Sequence, residues 1–133
     1  MPVEYVNPAT VHNNPAFSQA VILPAGARTL VIGGQNAVST EGSIVGKGQI
    51  GLQAAKAIEN LAAVLAAVGA GLGDIVKLTI YVVDGEDLRA AFGAWMARPD
   101  RPVNPPVISV IKVAGLANPD FLIEIEGLAV LPA

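Results

Sequence analysis

The sequence predicts a single α+β domain of order β-β-α-β-α-β-β, with two helices on one face of the sheet. Residues 49–68 repeat apolar side chains at three- and four-residue intervals, as one buried helical stripe requires. Runs rich in branched and aromatic residues flank that helix and read as strands. Pairs of such strands alternate with the helical stretches, the pattern of an α+β sheet.

Residues 1–16 are rich in Pro and Asn and read as an irregular lead-in. Residues 17–23 are a first strand, Pro24-Ala25-Gly26-Ala27 a turn, and residues 28–32 a second strand that closes a hairpin. Gly33-Gly34-Gln35 ends that strand with two residues that permit backbone angles others avoid. The Gly pair lacks the spacing of a phosphate-binding loop, so it gives no ground for a nucleotide site. Residues 36–48 form a polar loop. In the first helix Ile50, Ala54, Ile58, Leu61, Leu65 and Val68 make the buried stripe, while Gln53, Lys56, Glu59 and Asn60 mark a wet face. Residues 62–71 have no polar side chain and are expected to be covered all round, with Gly69, Gly71 and Gly73 supplying the stop.

Residues 74–83 read as a central strand. Asp84 is a candidate cap, and Glu86 and Asp87 suit a helix N-terminus. That helix is expected over residues 86–97, burying Leu88, Phe92 and Trp95 or Met96. Pro99, Pro102, Pro105 and Pro106 enforce an extended connector. Residues 107–113 and 121–130 are the last two strands, joined through a turn at Ala117-Asn118-Pro119-Asp120.

The 133 residues, taken as one domain over 1–133, are 53% hydrophobic and only 14% charged. An average soluble domain carries roughly 25% charged residues. So little charge on a small surface implies large apolar patches, and hence an obligate oligomer in which another subunit covers the sheet's free face. The longest uncharged run near the middle, residues 60–73, is too short and Gly-rich for a bilayer crossing of about 20 residues. No basic, apolar leader opens the chain, so the default location is cytoplasmic. The absence of cysteine excludes disulfides and thiol catalysis. A net charge of −3 with scattered basic residues gives no electrostatic footprint for nucleic acid. No metal or cofactor motif is present, and none is expected.

Glu124 and Glu126 lie two apart on a strand and therefore share a face. One reading makes Glu124 a general base or water-orienting acid; the other makes both acids the solvated face of an edge strand. His12, the one histidine, is a second acid–base candidate or a solvated loop residue. Phe92 and Trp95 suit either a pocket wall or ordinary core. Ser109 has no visible base partner to make it a nucleophile.

Several segments carry a resemblance. Ala16-Phe17-Ser18-Gln19-Ala20, Gly33-Gly34-Gln35, Glu59-Asn60-Leu61, residues 73–79, the stretch from Pro105 through Leu116, and Ile123-Glu124-Ile125-Glu126-Gly127 occur in an order and spacing that resembles the RidA (YjgF/YER057c/UK114) family. The resemblance runs from about Asn7 to Leu131. It implies a chorismate-mutase-like fold, a barrel-like homotrimer and small-molecule clefts between subunits. The family's best-known activity is enamine/imine deamination. Carried over, the catalytic glutamate falls on Glu124, the cleft aromatic on Phe17 and the cleft glycine on Gly34. The carboxylate-binding arginine position holds Ile108, followed by Ser109, and a polar residue of the second helix corresponds to Phe92. His12 precedes Phe17 and is an added acid–base candidate. Two functions are thereby expected: a deaminase-like hydrolase with less dependence on a substrate carboxylate, or a non-catalytic metabolite-binding protein. A third, ribonuclease activity, is disfavoured by the acidic charge balance.

Overall fold

The computed structural model describes residues 2–133. In chain order the elements are β1 (Glu4–Val6), β2 (Ala20–Ile22), β3 (Thr29–Gln35), α1 (Ile50–Ala66), a 3-10 turn (Leu72–Asp74), β4 (Ile75–Val83), α2 (Leu88–Met96), β5 (Val107–Val113) and β6 (Ile123–Val130). The main sheet runs β3-β6-β4-β5, and β1 pairs with β2 in a separate ribbon. Strand β6 is antiparallel to both neighbours, whereas β4 and β5 are parallel. A parallel pair needs a crossover connection, and α2 provides it. Two helices packed on one mixed sheet are the α+β class expected.

The first strand pairing differs from expectation. The Pro24 turn forms, with Ala27 N–H donating to the Pro24 carbonyl and Gly26 at φ +74°. No hairpin ladder follows it: β2 pairs with β1, inside the stretch read as irregular, and β3 joins β6. The exchange carries Leu30 and Ile32 of β3 into contact with the main core, burial that a lone two-stranded hairpin does not offer. Strand β3 also continues through Gly33 and Gly34, neither of which has a positive φ.

The stripe of α1 packs as its periodicity requires: Ile50, Ala54, Ile58, Leu61 and Leu65 meet Ile32, Leu78, Val82, Ile123 and Ile125 of the sheet in one core. Val68 does not join it and is 44% exposed, because the helix has already ended. Ala70 N–H donates to the Leu65 carbonyl and Gly69 N–H to the Ala66 carbonyl around Gly69 at φ +74°, the paired bonds of a Schellman stop. Ala63, Ala66 and Ala67 are also exposed in the chain, so this half of α1 is not covered all round.

Gln53 is the largest departure on this helix. Its spacing puts it on the wet face, yet it is fully buried. Its amide nitrogen donates to the Gly46 and Asp120 carbonyls at 3.2 and 2.9 Å, and its carbonyl accepts from Leu122 N–H at 2.9 Å. Asn60, partly buried, donates to the Asn36 and Val38 carbonyls, both at 2.9 Å. Two residues of the same helix thus tie loop backbone to the core, supplying partners to Leu122 N–H and to the Asp120 and Val38 carbonyls.

Helix α2 begins later than expected, at Leu88. Its cap is Asp87, whose carboxylate accepts from Arg89 N–H at 2.9 Å; the backbone N–H of Asp84 instead reaches the Val113 carbonyl. Only Ala91 of this helix is buried. Phe92 and Met96 are each 47% exposed, Leu88 is also exposed, and Trp95 is half-buried against the core. The apolar side of α2 lines an open space rather than a filled one.

Replacing Gln53 with Ala leaves Leu122 N–H and the Asp120 carbonyl without these partners, while the Gly46 carbonyl keeps its bond from Gln49 N–H, at about 1–3 kcal/mol for an unsatisfied buried group. Urea unfolding of Gln53→Ala is expected to show a loss of about 3 kcal/mol, whereas a wet-face residue would change stability by less than about 0.5 kcal/mol.

Candidate functional site

Strand β6 divides its side chains between two environments. Ile123 and Ile125 are buried in the helix-side core, so the alternating Glu124 and Glu126 project from the opposite sheet face. Neither acid is on an edge strand, because β3 and β4 flank β6. Both are partly buried on a face that neither helix covers.

Gly34 shapes the place of Glu124. The register between β3 and β6 shifts between Ile32 and Gln35, so that three steps on β3 match two on β6. A Cβ on Gly34 would lie 2.6 Å from the carboxyl carbon of Glu124. The glycine is therefore needed for close approach, not for an unusual backbone angle. Across the strand on the other side, Tyr81 is in register with Glu124 and Thr79 with Glu126. The Tyr81 hydroxyl donates to Glu126 Oε1 at 2.7 Å. That hydrogen bond, helped by burial and by the charges of Glu126 and Glu124, holds the phenol above the ordinary tyrosine range. Ser109 is exposed and in parallel register with Thr79, which extends this polar row to β5. Tyr81 and Thr79 alternate along β4 with the core residues Leu78, Ile80 and Val82, a pattern that marks them in the sequence once the strand's face is known.

The remaining expected residues lie elsewhere. A cavity of about 360 Å³ opens between the helices and the helix side of the sheet. Phe17, Phe92 and Ile108 all line it, with Trp95 and the core isoleucines of β6. Glu124 does not. Within one chain, then, the apolar trio and the acid are on opposite faces of the sheet, and this cavity does not unite them. His12 is exposed and outside the cavity lining.

The loop carrying Phe17 is held by its neighbours. Ser18 is buried, its hydroxyl donating to the Pro105 carbonyl at 2.6 Å and its N–H to the Pro106 carbonyl at 3.0 Å. Gln19 donates its side-chain amide to the His12 carbonyl at 2.7 Å and its N–H to Asn7 Oδ1 at 2.8 Å. The Ser-Gln pair thus ties the lead-in, and Phe17 with it, to the proline connector before β5, where Phe17 and Ile108 line one cavity.

A family model described as Endoribonuclease L-PSP matches residues 9–131. A Rid-family protein of unknown function from Yersinia pestis has a solved structure that superposes with a TM-score of 0.87 at 36% identity, covering 98% of this chain and all of that one. A RutC family protein of Synechocystis is 37% identical over 90 residues, 68% of each chain. The 2-iminobutanoate/2-iminopropanoate deaminase of Salmonella typhimurium is 36% identical over 84 residues, 61% of this chain and 63% of that protein.

Because the Tyr81 phenol is raised by its bond to Glu126, the bond's contribution is fully present below the ordinary tyrosine value. It is lost as pH rises through the higher folded value. Following tyrosinate absorbance, Glu126→Ala is expected to move one of the two tyrosines back toward about 10, the unperturbed tyrosine value. An unchanged titration would show that the pair does not exist in solution.

Proposed function

The chain belongs to the Endoribonuclease L-PSP family, which includes the RidA and YjgF proteins, and from that premise we propose that it hydrolyses a small imine or enamine with Glu124 as the proton-handling group. The observation that carries this reading is the Glu124 carboxylate itself. It is half-buried in mid-sheet, seated against Gly34, and faces the space that no helix covers. In an imine hydrolysis Glu124 would take a proton from water as the oxygen attacks the C=N carbon. The same proton would pass to nitrogen to give the carbinolamine, and transfer of the carbinolamine's hydroxyl proton to nitrogen, again through Glu124, would break the C–N bond and release a carbonyl compound and ammonia. The similarity to an iminobutanoate/iminopropanoate deaminase supports this class of chemistry.

The proposal takes the site from two subunits of a homotrimer. Glu124 and Gly34 of one subunit would face Phe17, Phe92 and Ile108 of another, since one chain holds them on opposite faces. The largely apolar composition and Val31, 80% exposed on β3, support a covered surface. An isoleucine at position 108 offers no partner for a carboxylate, which favours a substrate lacking one beside the imine carbon. Ser109 and His12 have lesser parts in this reading: Ser109 ends the polar row at the cleft, and His12 remains an accessory acid or base of the lead-in. Ribonuclease activity finds no support in a chain of net charge −3 with dispersed lysines and arginines.

A second reading, non-catalytic binding, is favoured by the cavity. Its lining contains no carboxylate and no imidazole, so a molecule held there alone would meet no side chain suited to general acid–base work.

Freshly generated imines with and without an α-carboxylate separate the two readings. Turnover of the carboxylate-free imine, reduced roughly 10²- to 10⁴-fold in Glu124→Gln with the fold intact, is the expected result. Activity confined to the carboxylated imine in Ile108→Arg, with the wild type silent on both, would assign the scaffold to binding.

A further inference from the structure

The cavity lies under the small side of α2. Only Ala91 of this helix is buried, while Leu88 and Phe92 line the cavity and remain exposed. The floor is apolar: Ala54 and Leu61 of α1, Leu78 and Val82 of β4 and Ile123 of β6 line it, each no more than 2% exposed. From this geometry we infer that the cavity selects neutral ligands by a hydrocarbon group. The preferred substrates are then alkyl aldimines, R–CH=NH, with R long enough to reach the floor. Phe92, Ile108 and Val110 are the residues that set the length and breadth of R.

Sixteen of the seventeen lining residues are Ala, Val, Leu, Ile, Phe or Trp. The other, Arg89, has a side chain 96% exposed, so its charge belongs to solvent. Among the described residues no buried side-chain nitrogen or oxygen lacks a hydrogen-bond partner, so none is left waiting for a polar ligand atom. Burying a polar group without a partner is unfavourable, whereas an apolar cavity takes hydrocarbon readily. The volume, about 360 Å³, falls within the roughly 300–1,000 Å³ of small-molecule sites, and a two-carbon imine would leave most of it unfilled. Leu88, Phe92 and Val110 line the cavity and are exposed, which places its mouth among them. The imine end of a ligand would stay at this mouth, where a second subunit can bring Glu124 to it. For the reaction the inference rests on the hydrolase reading; for the hydrocarbon selection it requires nothing of Glu124.

Ethylamine, butylamine and hexylamine, oxidised in situ by an amine oxidase with oxygen, give the matching aldimines and hydrogen peroxide, which catalase removes. Aldimine hydrolysis above the spontaneous rate is expected to rise in kcat/KM by about fourfold per methylene buried. Val110→Phe narrows the mouth at an exposed position of an edge strand and should flatten that rise. Trp95, the only tryptophan, lines the cavity, so its emission reads binding without turnover. Butan-1-ol and hexan-1-ol should give saturable changes with the same step per methylene, and hexanoate should bind no more tightly than hexan-1-ol. Turnover that ignores chain length, or a rise unchanged in Val110→Phe, overturns the inference and leaves the hydrolase reading standing. A chain-length series in Trp95 emission without turnover of any aldimine overturns the hydrolase reading and supports the hydrocarbon selection. Tighter binding of hexanoate than of hexan-1-ol overturns the selection of neutral ligands. A Trp95 shift that follows protein concentration and not ligand gives the cavity to a second copy of the chain, which also overturns the inference.

Discussion

The alternation of β6 is the constraint on which the rest depends. Ile123 and Ile125 go into the core with α1, and the pleat therefore sends Glu124 and Glu126 to the other face. A slip of one residue would bury both carboxylates beneath the helices and expose both isoleucines. The register is pinned from each side. On β3 the bulge at Gly33 and Gly34 makes room for the Glu124 carboxylate. On β4 the approach is also close, and it is to backbone, since a Cβ on Gly127 would lie 2.9 Å from the Lys77 carbonyl oxygen. Glycine at position 127 is what allows β6 to lie against β4 there. An apolar side and a polar side of one sheet follow directly.

Buried amides and a hydroxyl then organise what the sheet leaves loose. Gln53 joins the loop after β3 to the turn before β6, and Asn60 holds the backbone at Asn36 and Val38. Ser18 does the same for the proline connector. Each polar group is fully matched where it is buried, so the desolvation it suffers is offset, and its loop acquires one position rather than many. These pins are local, but they determine which side chains meet. Phe17 lines the same cavity as Ile108, in a loop that Ser18 anchors to Pro105 and Pro106.

The two faces offer different chemistry. In the proposed enzyme, the row of Glu124, Tyr81, Glu126, Thr79 and Ser109 is the polar side, with Glu124 as its proton-handling group. The cavity under α2 is walled almost wholly by apolar side chains. Their separation by the thickness of the sheet gives subunit association a functional meaning in the proposed enzyme. A substrate would touch both surfaces only where two chains meet.

Much of this was legible in the residues. The heptad-like stripe of α1, the branched run of β4 and the paired acids of β6 fix helix, central strand and face by periodicity alone. Local side-chain geometry leaves no other arrangement that buries them. The resemblance across nearly the whole chain brought Glu124, Gly34, Phe17, Phe92 and Ile108 forward as candidates. What the sequence could not determine was non-local. Gln53 looks solvated until the carbonyls of Gly46 and Asp120 are brought to it from loops 7 and 67 residues away. The partner of β2, the gap beneath α2 and the bond from Tyr81 to Glu126 likewise depend on which segments become neighbours. Periodicity records which way a side chain points along its own element; only the packed chain decides what it meets there.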